Sequence, residues 1–464
     1  MNPSDAEQNP VPLSFDWPVV PEAEAFLREQ IDSFLEINSA ARSLARRMRD
    51  ETATDFFEWI DHLTVPPECE NDLRALGFVP DSVETPDEAV AWHHPRATFP
   101  RVLVREKGRT GPAILALRPE HLADFATSLG LTAKIEGKPS SRFRRLLVAE
   151  ENSSRLEAVE RRAYRGFLVA PLAPGEAKSI VVAQELWRNR PRTLDDDGEG
   201  FTAANQVLDQ VLSLVSRDVA CHLFFQEERR YWESRNRAGQ TQKRRQDRLG
   251  LGWGNHDHHT FRCSRAHFVD LNNFLLRLGF EKRERYYAGA EAGWGAQISE
   301  QPVTGVVVFA DVDLRPDETA LDFSTVRLPS ADRLGTVGLW VALHGESFLG
   351  AGMHHLECRF DFDLLRQQLK DCGLQTMNPF SNFDFLRQAF TEGERWPVAA
   401  ARAEKLLAAN LIAPQQFEKF TREGALGSHL ENLQRHGGFK GFNQKSVSAV
   451  IAATDPRKNH FAAA

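Results

Sequence analysis

Long apolar runs are missing from these 464 residues. No stretch approaches the roughly 18 consecutive apolar positions that a membrane-spanning helix needs. Cysteine is scarce: the five present (Cys69, Cys221, Cys263, Cys358, Cys372) are odd in number, widely scattered and form no C-x-x-C pair. That argues against a disulfide framework and a thiolate zinc site, and makes a reducing cytoplasm the expected location. An excess of positive charge is missing too, with 57 Lys plus Arg against 65 Asp plus Glu and a formal net charge of −8. Neither a nucleic-acid binder nor an anionic-membrane binder is expected from that balance. Residues 1–24 are acidic and Pro-rich, without the basic-then-apolar layout of a secretion signal. No G-x-x-x-x-G-K-[ST] phosphate loop, G-x-S-x-G elbow or H-E-x-x-H helix occurs, and the GLGWG at 250–254 does not open a helix in a βαβ unit.

What is there suits a soluble globular chain of two or three domains, 42% apolar and 26% charged. Apolar positions at helical spacing open it over 26–61 and recur from 202 to about 237. The polar stretch 188–200 reads as an exposed loop or linker, and the basic segment 235–248 as a solvated helix end or interdomain linker. One pattern repeats: an apolar helix ending in Leu/Cys-Gly-Leu/Phe, at 73–78, 127–131, 276–280 and 371–374. Each glycine sits where a helix C-terminus wants a left-handed residue. Each copy follows a strand-like stretch (59–65, 112–118, 257–263, 354–360) and precedes two or three more, for example 99–105, 142–149, 304–312 and 386–397. The expected fold is therefore α+β, four βαβββ units in two tandem pairs, each pair a half-open barrel with flanking helices. A boundary near 240–250 divides residues 1–240, the N-terminal helices and a first pair, from 250–464, a second pair with a C-terminal helical segment.

The histidines locate the chemistry. Seven of the fifteen fall within 256–267 and 344–355, where the third and fourth units begin. Strand alternation over 257–263 puts His258, Thr260 and Arg262 on one face. Alternation from His355 puts Glu357 and Arg359 beside it, and Glu392 and Glu394 share a face near the end of the fourth unit. One imidazole from each unit's first strand and one carboxylate from the last strand make a facial triad. Such a triad leaves positions open on a six-coordinate metal and suits iron(II) oxygen chemistry more than structural zinc. Zinc on two His and a Glu stays open and would suggest a hydrolase or lyase. A lone H-x-x-x-R also fits an exposed strand with ordinary polar alternation. In the first half, His62 after Asp61 parallels Asp257-His258, but Pro66 stands four residues on where the second half has Arg262, and no carboxylate strand matches Glu394. The first half reads as a duplicate without a metal site.

The stretches DHHTFRCSR (257–265), FLLRLGFEKRERY (274–286), VVVFADVDL (306–314), MHHL (353–356), AFTEGERWPVA (389–399) and GGFKGFNQKSVSAVI (437–451) resemble the 2-oxoadipate dioxygenase/decarboxylase (hydroxyglutarate synthase) family, whose fold is vicinal-oxygen-chelate-like. The resemblance covers about 255–451. It implies iron(II) held by His258, His355 and Glu394, Arg262 binding a substrate carboxylate, and Val447 and Ser448 lining the pocket. It implies a 2-oxo acid and dioxygen as reactants, with oxidative decarboxylation and hydroxylation of the same substrate to a 2-hydroxy acid. A zinc- or other metal-dependent hydrolase or lyase on the same fold, and a small-ligand binding module, remain the alternatives. The N-terminal pair reads as a cap, a vacated site or a dimer surface, which leaves a homodimer open.

Overall fold

The computed structural model describes residues 16–86, 89–194, 196–444 and 454–457. Two helices lead in, α1 (Pro21–Ile37) and α2 (Ser39–Thr52). Pro21 starts α1 where no backbone donor is needed, and the Asn38 side chain caps α2 by accepting from the Ala41 N–H at 2.9 Å. Ala41, Leu44 and Met48 form the buried stripe of α2, the spacing of one helix face.

The first unit is β1 (Ile60–Val65), α3 (Glu70–Ala75), β2 (Val79–Asp81), β3 (Val90–His93) and β4 (Arg101–Val104). The second is β5 (Ala113–Leu117), α4 (Leu122–Ser128), β6 (Phe143–Glu151) and β7 (Ser154–Arg161), with two strands after its helix instead of three. Four helices follow: α5 (Glu176–Arg188), α6 (Asp197–Leu214), α7 (Arg217–Glu233) and α8 (Arg237–Asp247). The third unit is β8 (His256–Arg262), α9 (Phe268–Arg277), β9 (Glu281–Tyr287), β10 (Trp294–Glu300) and β11 (Val307–Asp313). After α10 (Thr336–His344) comes the fourth: β12 (His355–Arg359), α11 (Phe362–Asp371), β13 (Ser381–Phe383), β14 (Leu386–Phe390), β15 (Glu394–Trp396), α12 (Ala400–Ala408), α13 (Pro414–Glu423) and β16 (Ala425–Arg435).

In every unit the last strand runs parallel to the first: β4 to β1, β7 to β5, β11 to β8 and β16 to β12. Within each pair the two first strands lie side by side and antiparallel, β1 with β5 and β8 with β12. The result is two sheets, of order β2-β3-β4-β1-β5-β7-β6 and β13-β14-β16-β12-β8-β11-β10-β9, with β15 pairing β16 off that path. The expected α+β, paired-unit, vicinal-oxygen-chelate-like architecture is the one observed. The four repeat glycines (Gly77, Gly130, Gly279, Gly373) all take positive φ, from +64° to +87°, just past their helices, which is why the motif recurs.

Helices α5, α6 and α7 pack with the second sheet: Trp187, Phe201, Leu208 and Phe224 share one core with Phe261, Phe274 and Leu356. Helix α8 lies between the halves: Gln242 donates to the Thr52 carbonyl at 2.9 Å, and its N-cap Asn236 donates to Ser428 at 2.7 Å. The segment at 188–200 includes the start of α6, and the basic stretch 235–248 contains α8, whose Gln242 and Gln246 are fully buried.

Candidate metal centre

Three strands supply the centre. Alternation along β8 puts His258, Thr260 and Arg262 on the barrel side, and β12 contributes His355 and Glu357. Parallel to β12, β16 carries the same tripeptide in register: His355 faces His429, Leu356 faces Leu430 and Glu357 faces Glu431. The buried groups His258, His355 and Glu431 each present a ligand atom, all within 4.8 Å of one another. His355 Nε2 lies 2.8 Å from Glu431 Oε2, close to the ~3 Å expected between neighbouring ligands of a metal held at about 2.1 Å. Thr260 Oγ1 stands 2.9 Å from the same Nε2.

Behind these atoms is a charged frame. Asp257 Oδ1 is 3.4 Å from His258 Nδ1, and Glu357 also lies against that nitrogen. Asp257 accepts from Arg359 at 2.8 Å and from Arg435 at 3.0 Å. Burial would raise the Asp257 carboxyl, but these two guanidiniums hold it well below the usual carboxylate range. Gln388 Nε2 donates to Glu357 at 3.0 Å and to Glu431 at 3.1 Å, bridging the two carboxylates.

Burial dominates the remaining titrations. It pushes Glu431 up to about 8, with Asp257 adding and Arg435 opposing, and raises Glu357 similarly with Glu431 adding. It pushes His355 down to about 3, helped by Arg262. Neutral imidazoles offer lone pairs, and a buried carboxylate short of cations gains most from one placed beside it. Two nitrogens, one oxygen and this charge deficit fit a divalent cation with open positions.

Beside the ligand atoms is a cavity of about 90 Å³ reached by Arg262, Gln388 and Asp311, with Phe309, Phe390 and Phe442 among its aromatic walls. Arg262 is buried and donates through Nη2 to Thr454 at 2.9 Å. Its Nε and Nη1 have no partner among the described residues. Burial lowers it to about 10, against Asp311 and Asp313, and raises Asp311 to about 7.

The expected residues thus divide. His258, His355 and Arg262 come together. Glu394 does not: on β15, it accepts from the Arg237 backbone N–H at 2.7 Å, at the start of α8. The correction has a topological cause. The stretch 386–397 is not the unit's last strand; α12 and α13 intervene before β16, which occupies that position and brings Glu431. The repeated His-Leu-Glu at 355–357 and 429–431 was the available signal for it. His354 and His429 also form a three-histidine group with His355, their ligand atoms within 4.8 Å. Val447 and Ser448 lie outside the described residues; Asn443 and Thr454, on either side of that stretch, line the cavity.

No protein-family model matches the sequence, and no curated protein matches it. Among solved structures, the chain is similar to a triple-substituted variant of 4-hydroxymandelate synthase from Streptomyces coelicolor, at 13% identity over 86% of this chain and 98% of that one, with a TM-score of 0.29. It is similar to methylmalonyl-CoA epimerase from Mycobacterium tuberculosis at 12% identity, covering 39% of this chain and 88% of that one, TM-score 0.21. A third similarity is to the uncharacterized protein YdcJ from Shigella flexneri, at 13% identity over 56% of this chain and 73% of that one, TM-score 0.25.

Proposed function

We propose that this chain is a non-haem iron(II) dioxygenase acting on a 2-oxo acid, of the 2-oxoadipate dioxygenase/decarboxylase kind, with His258, His355 and Glu431 as metal ligands. The observation that carries the reading is the meeting of these three ligand atoms within 4.8 Å, with a half-unpaired buried arginine lining the adjoining cavity. Iron(II) held there supplies Lewis acidity toward a 2-oxo carboxylate and redox chemistry toward dioxygen, which together allow decarboxylation and hydroxylation to a 2-hydroxy acid.

The chain's own residues do the rest. Arg262 takes a substrate carboxylate oxygen through Nη1 or Nε, the two donors that Thr454 leaves free. Phe309, Phe390 and Phe442 keep water from the cavity and so strengthen that ion pair. Asp257, clamped by Arg359 and Arg435, fixes the His258 ring through Nδ1 and leaves Nε2 to coordinate. Gln388 orients Glu431.

Oxygen uptake by anaerobically iron-loaded protein against a panel of 2-oxo acids tests the reading. At least one is expected to drive stoichiometric uptake and carbon dioxide release, lost on Arg262→Ala. Protein that carries zinc when purified without added metal, and that consumes no oxygen with any 2-oxo acid after iron loading, would overturn it in favour of hydrolysis.

A further inference from the structure

A larger cavity, about 360 Å³, opens between the two halves. Its walls come from the approach to β1, the start of β4, the residue after β5 and the start of β8. The acids on it already have cationic partners. Glu58 accepts from Arg359 at 2.8 Å, Asp257 from Arg359 and Arg435, Asp61 from Arg161 at 2.6 and 2.8 Å, and Glu300 pairs with Lys440 at 2.8 Å. Two first-half cations on the same wall are left without a carboxylate among the described residues. Arg101 lies over the Phe167 ring at 4.3 Å and donates to the Arg165 carbonyl. Arg118 makes neither an ion pair nor a side-chain hydrogen bond among the described residues; burial works against its charge, Asp61 favours it from a distance, and the neighbouring Arg161 and Arg229 oppose it. Next to it, Trp59 accepts the Arg118 backbone N–H at 2.8 Å, and the buried Trp59 indole N–H has no acceptor of its own.

Strand register shows what an arginine at this position does when acids are supplied. Two residues before Arg118, Ala116 pairs with Glu157 on β7; two residues before Arg359, Glu357 pairs with Glu431 on β16. Arg118 and Arg359 are therefore counterparts. Arg359 is held in direct ion pairs by Glu58 and Asp257, whereas Arg118 has only the more distant field of Asp61, which Arg161 already pairs.

We propose that the cavity between the halves is a binding site for a small organic or inorganic dianion, a carboxylate or phosphate, anchored by Arg118 with Arg101 beside it. Guanidinium groups only donate, so their ligand must be rich in acceptors, and an anion also neutralises their charge. The volume suits a small metabolite. The cavity reaches His258, Asp257 and Phe309 of the proposed metal centre, but its anchors include neither Arg262 nor a metal ligand.

Calorimetric titration of the full chain with glutarate and, separately, with inorganic phosphate tests it and distinguishes the two sources of charge. One of them is expected to bind in roughly the micromolar to millimolar range. Arg118→Ala should weaken it at least about tenfold and Arg118→Lys less. Binding of neither dianion at about 10 mM, affinity that survives Arg118→Ala, or affinity lost only in Arg262→Ala overturns the proposal. If Arg118→Ala fails to fold, Arg118→Gln keeps most of the side-chain length without the charge and should weaken binding about tenfold. Unchanged affinity in both Arg118→Gln and Arg118→Lys then overturns it.

Discussion

Where β8 reads Asp257-His258-His259-Thr260, β1 reads Asp61-His62-Leu63-Thr64. The pairing of each strand with its neighbour matches as well. Leu63 faces Leu115 and His259 faces Leu356, so Ile114 occupies the place of His355 and Ala116 that of Glu357. Across β7, Glu157 stands where β16 has Glu431, and Arg161 where it has Arg435. The frame is therefore present twice. Asp61 is gripped by Arg161 and 2.7 Å from His62, as Asp257 is gripped by Arg435 beside His258. The ligand set is present once: the first half keeps an imidazole and a carboxylate but has isoleucine for the second imidazole, and Pro66 where Arg262 stands. Among the described residues, every three-ligand group lies in the second half. The difference teaches that the buried Asp–Arg clamp belongs to the strand packing, and that two substitutions on one strand, with Pro66 in place of the arginine, separate a frame from a candidate centre.

Removing the carboxylate of the centre should break this contrast most visibly. Glu431→Ala is expected to weaken iron binding about a thousandfold or more, while Glu157→Ala leaves it unchanged. Iron analysis after desalting reads both, and equal retention in the two variants would refute the assignment. Next in size is the clamp of the first half. Arg161→Ala removes the ion-pair partner of a buried Asp61 and should cost about 3 kcal/mol or more in denaturant unfolding at neutral pH. Burial opposes ionisation of Asp61, but Arg161 and His62 overcome it and hold the carboxyl well below its ordinary 3.8. A lowered native value adds stability above the ordinary one that is lost as pH falls through the lowered one. The gap between variant and wild type should therefore persist at neutral pH and close only as pH falls through the lowered native value. A smaller effect is expected from Gln388→Leu, about tenfold in iron affinity, because Glu357 and Glu431 then lose their shared donor. Smallest is Glu394→Ala, about 0.5–1 kcal/mol from a lost helix-start contact, with iron retained. Loss of iron in that variant would restore Glu394 to the centre.

Much of the scaffold could be read from the chain because its signals are local. The four helix–glycine endings and the strand-like runs around them need only neighbouring residues, and they recur at the helix ends in all four units. Asp61-His62 and Asp257-His258 were visible as counterparts for the same reason. His258 and His355 meet because each sits on the first strand of a unit, and those two strands pair directly. The carboxylate was not legible in this way. Choosing Glu431 over Glu394 requires knowing that α12 and α13 are inserted ahead of the closing strand, a fact of long-range pairing between β12 and β16. The place of α5–α8 was hidden likewise, since an amphipathic helix shows that it has a buried face but not which sheet covers it.

Arg359 holds Asp257 with one nitrogen and Glu58 with another, so a single side chain from β12 spans the two halves. That makes the chain indivisible as a reagent. A fragment beginning near residue 250 would strip α5–α8 from the shared core and leave the arginine behind His258 with half its partners. Domain dissection by truncation is the wrong tool for this molecule, and point substitution in the intact chain is the right one.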